Sequence, residues 1–191
     1  TAISGFSTDQ IQALTTGQLA ALSTSGVKGL TNAQVGALTT TQIQAFTTAQ
    51  AAALGTAQVT GLTTTQVAIL ETADFAALSA VAVGALSSTQ VGVLTTDQIK
   101  ALTTTQAATL NTAQTAGLTS TKIGNIETAD LAALKTTVIA ALTGGQLAGL
   151  TTTQIAALTT AQKAVLPAAG MTTAQIAALT TTEISKLSTA T

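Results

Sequence analysis

The chain repeats one eight-residue motif along nearly its whole length. The stretch LTTTQIAAL at 150–158 holds a leucine, threonines, a glutamine, a β-branched residue, two alanines and a second leucine, and the next octad starts at Thr159. If each octad is numbered from the residue after its leucine, position 8 is an apolar residue in every octad from Phe6 to Leu166. Such regular self-similarity predicts a repeat architecture in which stacked units share one core.

Each octad carries a signal for the start of a helix. The pattern T-x-x-Q, as in Thr151 to Gln154, is typical of a capping box, in which hydroxyl and amide side chains satisfy free backbone amides. The leucine before the threonine and the Ile or Val at position 5, as in Leu150 and Ile155, occupy the two positions of a hydrophobic staple. Some octads lack Ser, Thr or Asn at position 1, and there we expect the threonine at position 2 to act as the cap. These octads begin at Gly55, Glu71, Glu127 and Lys135.

Stacking must stabilise these helices, because a helix of five or six residues does not persist alone in water. We therefore predict an all-α fold, a solenoid or superhelix of very short helices with one helix per octad, over residues 1–191. The runner-up is a β-solenoid with two octads per coil, which the many β-branched residues favour. Strict alternation of polar and apolar residues is absent, and this counts against a plain strand.

The octads also follow a longer period. ETADF at 71–75 returns as ETADL at 127–131, which is 56 residues or seven octads later. This spacing predicts super-repeats near 23–78, 79–134 and 135–191. Recent duplication of a block and a repeated structural environment both explain it. The octad register breaks at PAAGM, residues 167–171, where the only proline predicts a kink, loop or junction.

Composition narrows the classes of function. The sequence has no His and no Cys, which excludes catalytic triads and ordinary zinc sites. We expect no enzyme activity, no catalytic residues, no cofactor and no metal. With 7% charged residues and a net charge of −1, the chain has no electrostatic footprint for nucleic acid. Its apolar runs are too short for a membrane span. From the start at Thr1 we expect a piece of a longer protein.

Two pairs of carboxylates are the candidate site residues, Glu71 with Asp74 and Glu127 with Asp130. Each pair is spaced i, i+3 in the first turn of a predicted helix. There the pair either contacts another subunit or a cation, or simply complements the helix dipole.

Octads of the form L-T-T-x-Q-[IV]-x-A-L, at 38–46, 94–102 and 150–158, resemble the repeats of very large surface or secreted proteins of Gram-negative bacteria. Those proteins are described as adhesin-like or haem-utilisation-like. The resemblance implies an extracellular or cell-surface location and a structural role. It transfers no functional residues, since the chain has no histidine to bind haem.

We therefore expect a non-enzymatic structural element of an extracellular assembly: a surface layer, sheath, fibre or adhesin stalk. Its partners are copies of itself, because a solenoid end without a polar capping repeat exposes an apolar face for further units. The alternative is a module that binds ice, glycan or a protein partner on a threonine-rich face.

Overall fold

The computed structural model describes residues 2–187 and places the backbone of that range in short helices joined by tight turns. The predicted all-α solenoid with one helix per octad is confirmed. No strand lies in the described range, so the β-solenoid alternative is not supported. The elements are η1 (Ala2–Gly5), α1 (Thr8–Gln12), α2 (Thr16–Ala20), α3 (Thr24–Lys28), α4 (Asn32–Ala37), α5 (Thr40–Gln44), α6 (Thr48–Ala52), α7 (Thr56–Gly61), α8 (Thr64–Ile69), α9 (Thr72–Ala77), α10 (Ala80–Gly84), α11 (Ser88–Gly92), α12 (Thr96–Lys100), α13 (Thr104–Ala107), α14 (Thr112–Ala116), α15 (Ser120–Ile123), α16 (Thr128–Ala133), α17 (Thr136–Ala140), α18 (Gly144–Ala148), α19 (Thr152–Ala157), α20 (Thr160–Ala164), η2 (Ala168–Gly170), α21 (Thr173–Ala177) and α22 (Thr181–Ile184).

The capping box starts each helix as predicted. In α19 the N-cap Thr151 is extended, with φ −76° and ψ 160°. Its hydroxyl accepts a hydrogen bond from the Gln154 amide at 3.1 Å, and Gln154 Oε1 accepts one from the Thr151 N–H at 2.8 Å. The helix ends where Leu158 N–H donates to Ile155 O at 3.3 Å, and the next capping box follows at once. No described residue has a positive φ, so these ends need no glycine cap.

The expected substitute caps are wrong. Gly55, Glu71, Glu127 and Lys135 occupy the N-cap position themselves and make no side-chain cap hydrogen bond. The threonine that follows each of them is already the first helical residue. The leucine column fixes where each octad turns the corner, so a hydroxyl one residue later cannot take over as the cap.

Stacked helices bury the two apolar columns of the octad. Positions 5 and 8 form one hydrophobic cluster that extends from Ile3 to Leu179. Each helix packs on the helix three places further along the chain, for example α1 on α4, α4 on α7, α6 on α9, α11 on α14, α13 on α16 and α16 on α19. The chain is therefore a tandem-repeat superhelix whose core is a continuous aliphatic axis.

The register break at 167–171 keeps its place in this stack. The turn η2 packs on α18, α19 packs on α21 and α20 packs on α22, so η2 stands where one octad helix would stand. The five-residue segment behaves as an octad shortened by three residues. The last predicted super-repeat continues past it to residue 191, and its residues 188–191 lie outside the described range.

None of the helices in residues 2–187 is both long enough and apolar enough to cross a lipid bilayer.

Candidate functional site

The glutamine at position 4 joins consecutive turns of the superhelix. Gln66 Oε1 accepts from Thr63 N–H at 2.7 Å, which completes its own capping box. Its Nε2 then donates to Val35 O at 3.1 Å and to Leu38 O at 2.6 Å, four octads earlier. We call this arrangement the glutamine clamp. The same donation to the position-8 carbonyl recurs at 2.6 to 2.8 Å from Gln34, Gln42, Gln50, Gln58, Gln66, Gln90, Gln98, Gln106, Gln114, Gln146, Gln154, Gln162 and Gln175.

The clamps explain how a polar column can lie inside an apolar rod. Gln98 and Gln106 are each 1% exposed, yet the oxygen and the nitrogen of both side chains have partners. Because burial of an unpaired amide is costly, these hydrogen bonds are what makes the position tolerable. Since α-helices pack three octads apart and clamps reach four octads back, one superhelical turn takes between three and four octads.

Sequence reasoning assigned the glutamine only to the capping box and missed its second bond. A signal was present, because glutamate serves a capping box equally well and yet is rare at position 4. Glutamate has no donor to offer a carbonyl. A preference for Gln over Glu therefore indicates that the amide N–H₂ is used.

The candidate carboxylates separate into exposed and buried members. Glu71 and Glu127 are exposed N-cap residues, whereas Asp74 and Asp130 are each 4% exposed at position 4, where other octads have the clamp. Neither aspartate can donate as an ionised group, so each clamp is missing there. No group of three or more metal-ligating side chains exists within residues 2–187. The assignment of these four residues to subunit or cation contacts stays a prediction.

Asp130 has one polar partner on the neighbouring turn. Thr104 Oγ1 donates to its Oδ1 at 2.8 Å. Burial raises the pKa of the Asp130 carboxyl above its ordinary value of 3.8, the Thr104 hydrogen bond opposes this, and the nearby Glu127 charge adds to the rise. A carboxyl with a raised pKa binds its proton more tightly in the folded chain. Its contribution to stability is therefore complete below pH 3.8 and is lost as the pH rises through the folded-state pKa.

We expect Asp130→Gln to raise the free energy of unfolding at pH 7 by roughly 1–2 kcal/mol, through regained hydrogen bonds of about 1 kcal/mol each. The new amide would stand 31 and 28 residues after Ile99 and Leu102, the offsets at which Gln66 reaches Val35 and Leu38. Urea unfolding at several pH values measures the gain, which should shrink as Asp130 of the wild type becomes protonated. Asp97→Gln, at an exposed carboxylate, controls for the change in net charge. An equal gain in both variants would contradict the clamp explanation.

Two lysines replace residues of the repeat and use their ammonium groups between turns. Lys122 occupies the clamp position and donates to Gly92 O, four octads earlier. Lys163 occupies the core position 5 and pairs with Glu183 Oε1 at 2.7 Å. The Lys163 hydrogen bond and those from Thr180 lower the Glu183 pKa to about 2. Both are substitutes for ordinary repeat contacts.

The described surface has one shallow concavity between octads. Lys100, Asn125, Glu127 and Thr151 are among the residues that line an open groove of about 190 Å³. It combines a cation, an anion and neutral polar groups, and it lacks the enclosed apolar wall of a small-molecule site. The groove gives no support to a catalytic assignment.

The first turn of the superhelix shows the clamp without its acceptor. Gln10 and Gln18 are exposed, and each Oε1 accepts from its own N-cap N–H, at Ser7 and Thr15. Within residues 2–187 neither Nε2 has an acceptor. The leucines of the same octads, Leu14 and Leu22, are only partly buried against the core. Donors and leucines that are covered in later turns are thus accessible here.

Comparison with known families agrees with the repeat assignment. The sequence profile of the ALTTAQ repeat matches residues 1–24, 16–48, 67–104 and 123–160. These segments cover more than half of the chain. No curated protein matches it. The matched segments contain the capping boxes and clamps described above, and the chain belongs to the ALTTAQ repeat family.

Proposed function

We propose that this chain is a non-enzymatic structural element of an extracellular bacterial assembly, a surface layer, sheath, fibre or adhesin stalk, and that its copies associate. The uninterrupted core from Ile3 to Leu179 carries the proposal. Nearly every octad spends its apolar residues, cap hydroxyl and amide on neighbouring octads. A fold built in this way specifies a shape and leaves few polar groups free for chemistry.

The surface supports association between copies. The net charge of −1 on 191 residues provides little repulsion between rods. The exposed positions are mostly hydroxyl and small side chains, as at Thr64 and Thr65. A lateral or end-to-end contact would therefore desolvate few charges, and burial of ionised groups is the largest cost of association on an ordinary surface.

The position-1 threonines have a role that needs no ligand. Thr63 Oγ1 accepts from the Gln66 amide, and Thr95 Oγ1 accepts from the Gln98 amide. These hydroxyls hold helix starts in place, so we do not include ice or glycan binding in the proposal. Such binding is instead the competing outcome of the experiment.

Electron microscopy of the purified chain tests the proposal, together with sedimentation over a wide concentration range. We expect ordered filaments or sheets and a mass that rises with concentration, because a repeat surface offers the same contact many times. The matched sample is the same chain in urea, which unfolds the helices and should abolish the order. A strictly monomeric rod that halts ice growth or binds to a glycan array would contradict the proposal and favour the binding alternative.

A further inference from the structure

The contact between consecutive superhelical turns is an interface whose two sides are known in detail. One side presents leucines and the amide donors of position 4. The other side presents the main-chain carbonyls of positions 5 and 8, as when Gln98 Nε2 donates to Val67 O at 2.9 Å and to Leu70 O at 2.8 Å. Because the interface recurs along the rod, any uncovered turn indicates the chemistry of the surface that would cover it.

The N-terminal turn presents the donor side. Gln10 and Gln18 are exposed, and their Nε2 atoms have no acceptor among residues 2–187. Phe6 is 43% exposed, although other residues of its column, such as Leu54 and Leu94, are 1% exposed. The amides are already oriented, because each Oε1 is held by its own N-cap N–H at 2.8 to 2.9 Å. This turn therefore fits a row of carbonyl groups beside aliphatic side chains.

The turn formed by α21 and α22 presents the acceptor side. Ile176 O and Ile184 O accept only backbone N–H groups, from Leu179 at 3.1 Å and Leu187 at 3.2 Å, within the described residues. Inside the rod the corresponding carbonyls accept a clamp amide in addition. Ile184 is also 40% exposed. The charged group nearest in sequence, Glu183, is already paired with Lys163.

We propose that copies of this chain associate head to tail, with Gln10 and Gln18 of one copy donating to main-chain carbonyls of the α21–α22 turn of a second copy. The contact continues the clamp interface from one chain into the next, and it rests on the self-association proposed above. Since the two surfaces differ, the contact is heterologous and does not close on itself. It therefore produces filaments with a direction.

The double variant Gln10→Glu and Gln18→Glu tests this interface in the full chain. Glutamate keeps the capping box, as Glu183 does when its Oε2 accepts from Thr180 N–H at 2.8 Å. The folded monomer should therefore persist, which circular dichroism and thermal unfolding can verify. The amide donors are lost, and two carboxylates face the partner's carbonyls. The control is Gln12→Glu with Gln44→Glu, which changes the charge equally at exposed position-6 residues without side-chain hydrogen bonds in the described residues.

We expect the end-to-end dissociation constant, measured by sedimentation, to rise at least about tenfold in the double variant and to stay unchanged in the control. A second readout tests direction. The double variant retains its α21–α22 turn, so a small amount added to the wild-type chain should bind at one filament end and shorten the filaments.

The outcomes separate the two proposals. Wild-type chains that stay monomeric at every concentration would overturn both. Wild-type filaments that survive the double variant unchanged, or that its addition does not shorten, would overturn the head-to-tail interface and leave self-association in place. Equal loss in the control would assign the effect to net charge and overturn the role of Gln10 and Gln18.

Discussion

Replacing Gln106 with glutamate should lower the free energy of unfolding at pH 7 by about 3–5 kcal/mol, the cost of an uncompensated buried charge. Gln106 is 1% exposed, and its Nε2 donates to Phe75 O at 3.3 Å, Ala76 O at 3.1 Å and Leu78 O at 2.7 Å. Glutamate would keep the bond from Thr103 N–H to its carboxylate, lose all three donations and direct negative charge at the carbonyls.

Urea unfolding followed by circular dichroism measures this loss, with Gln18→Glu as the matched control. The control makes the same substitution at the same octad position, in a turn where Nε2 has no acceptor within residues 2–187. Its effect should stay within about 0.5 kcal/mol. Burial raises the pKa of a carboxyl, so the Gln106→Glu penalty should shrink in acid, where the proton restores one donor. Equal losses in the two variants would show that the capping box, and not the clamp, carries the energy.

The local part of this fold could be predicted from single octads. A capping box involves residues three apart, so Thr151 and Gln154 specify it without knowledge of any other turn. The buried columns follow in the same way, because Ile155 and Leu158 lie on one side of a short helix. These predictions are confirmed.

The contacts between turns could not be predicted in this way. Nothing in an octad states which other octad it meets, and the glutamine already had a satisfactory local role. The distance along the chain from Gln154 to its acceptor Ile126 depends on the superhelical turn, which arises from many small corner angles. The buried state of Asp130 was missed for the same reason, since only the clamp position directs that side chain inward.

The stacking pattern gives the seven-octad period a physical interpretation. Helices pack three octads apart and clamps reach four octads back, and a step of three plus a step of four makes seven. Octads 56 residues apart then meet equivalent neighbours, so a substitution and its compensation recur together. The glycine pair Gly36 and Gly61 indeed returns as Gly92 and Gly117. The super-repeats themselves stay a prediction.

The closest backbone contacts lie where helices three octads apart meet, and glycine occupies them. A Cβ on Gly61 would stand 2.9 Å from Asn32 Cα and nearer still to Asn32 O. A Cβ on Gly36 would stand 2.8 Å from Gly61 O. The obstacle in both cases is backbone, which cannot rotate away as a side chain can. Glycine is required here for close approach of α4 and α7, and no unusual φ is involved.

Gly61→Ala should therefore destabilise the rod by about 3 kcal/mol, the upper part of the range for overpacked cores, because α4 and α7 must separate along their contact. Gly145→Ala is the control. A Cβ on Gly145 would meet no atom within 4 Å, and this residue lies inside α18, so alanine should stabilise by up to about 1 kcal/mol through helix propensity. Thermal and urea unfolding of both variants measure the opposite signs. Stabilisation by Gly61→Ala would mean that the turns are further apart than this packing requires, and the clamp distances, which depend on the same spacing, would then be too long for hydrogen bonds.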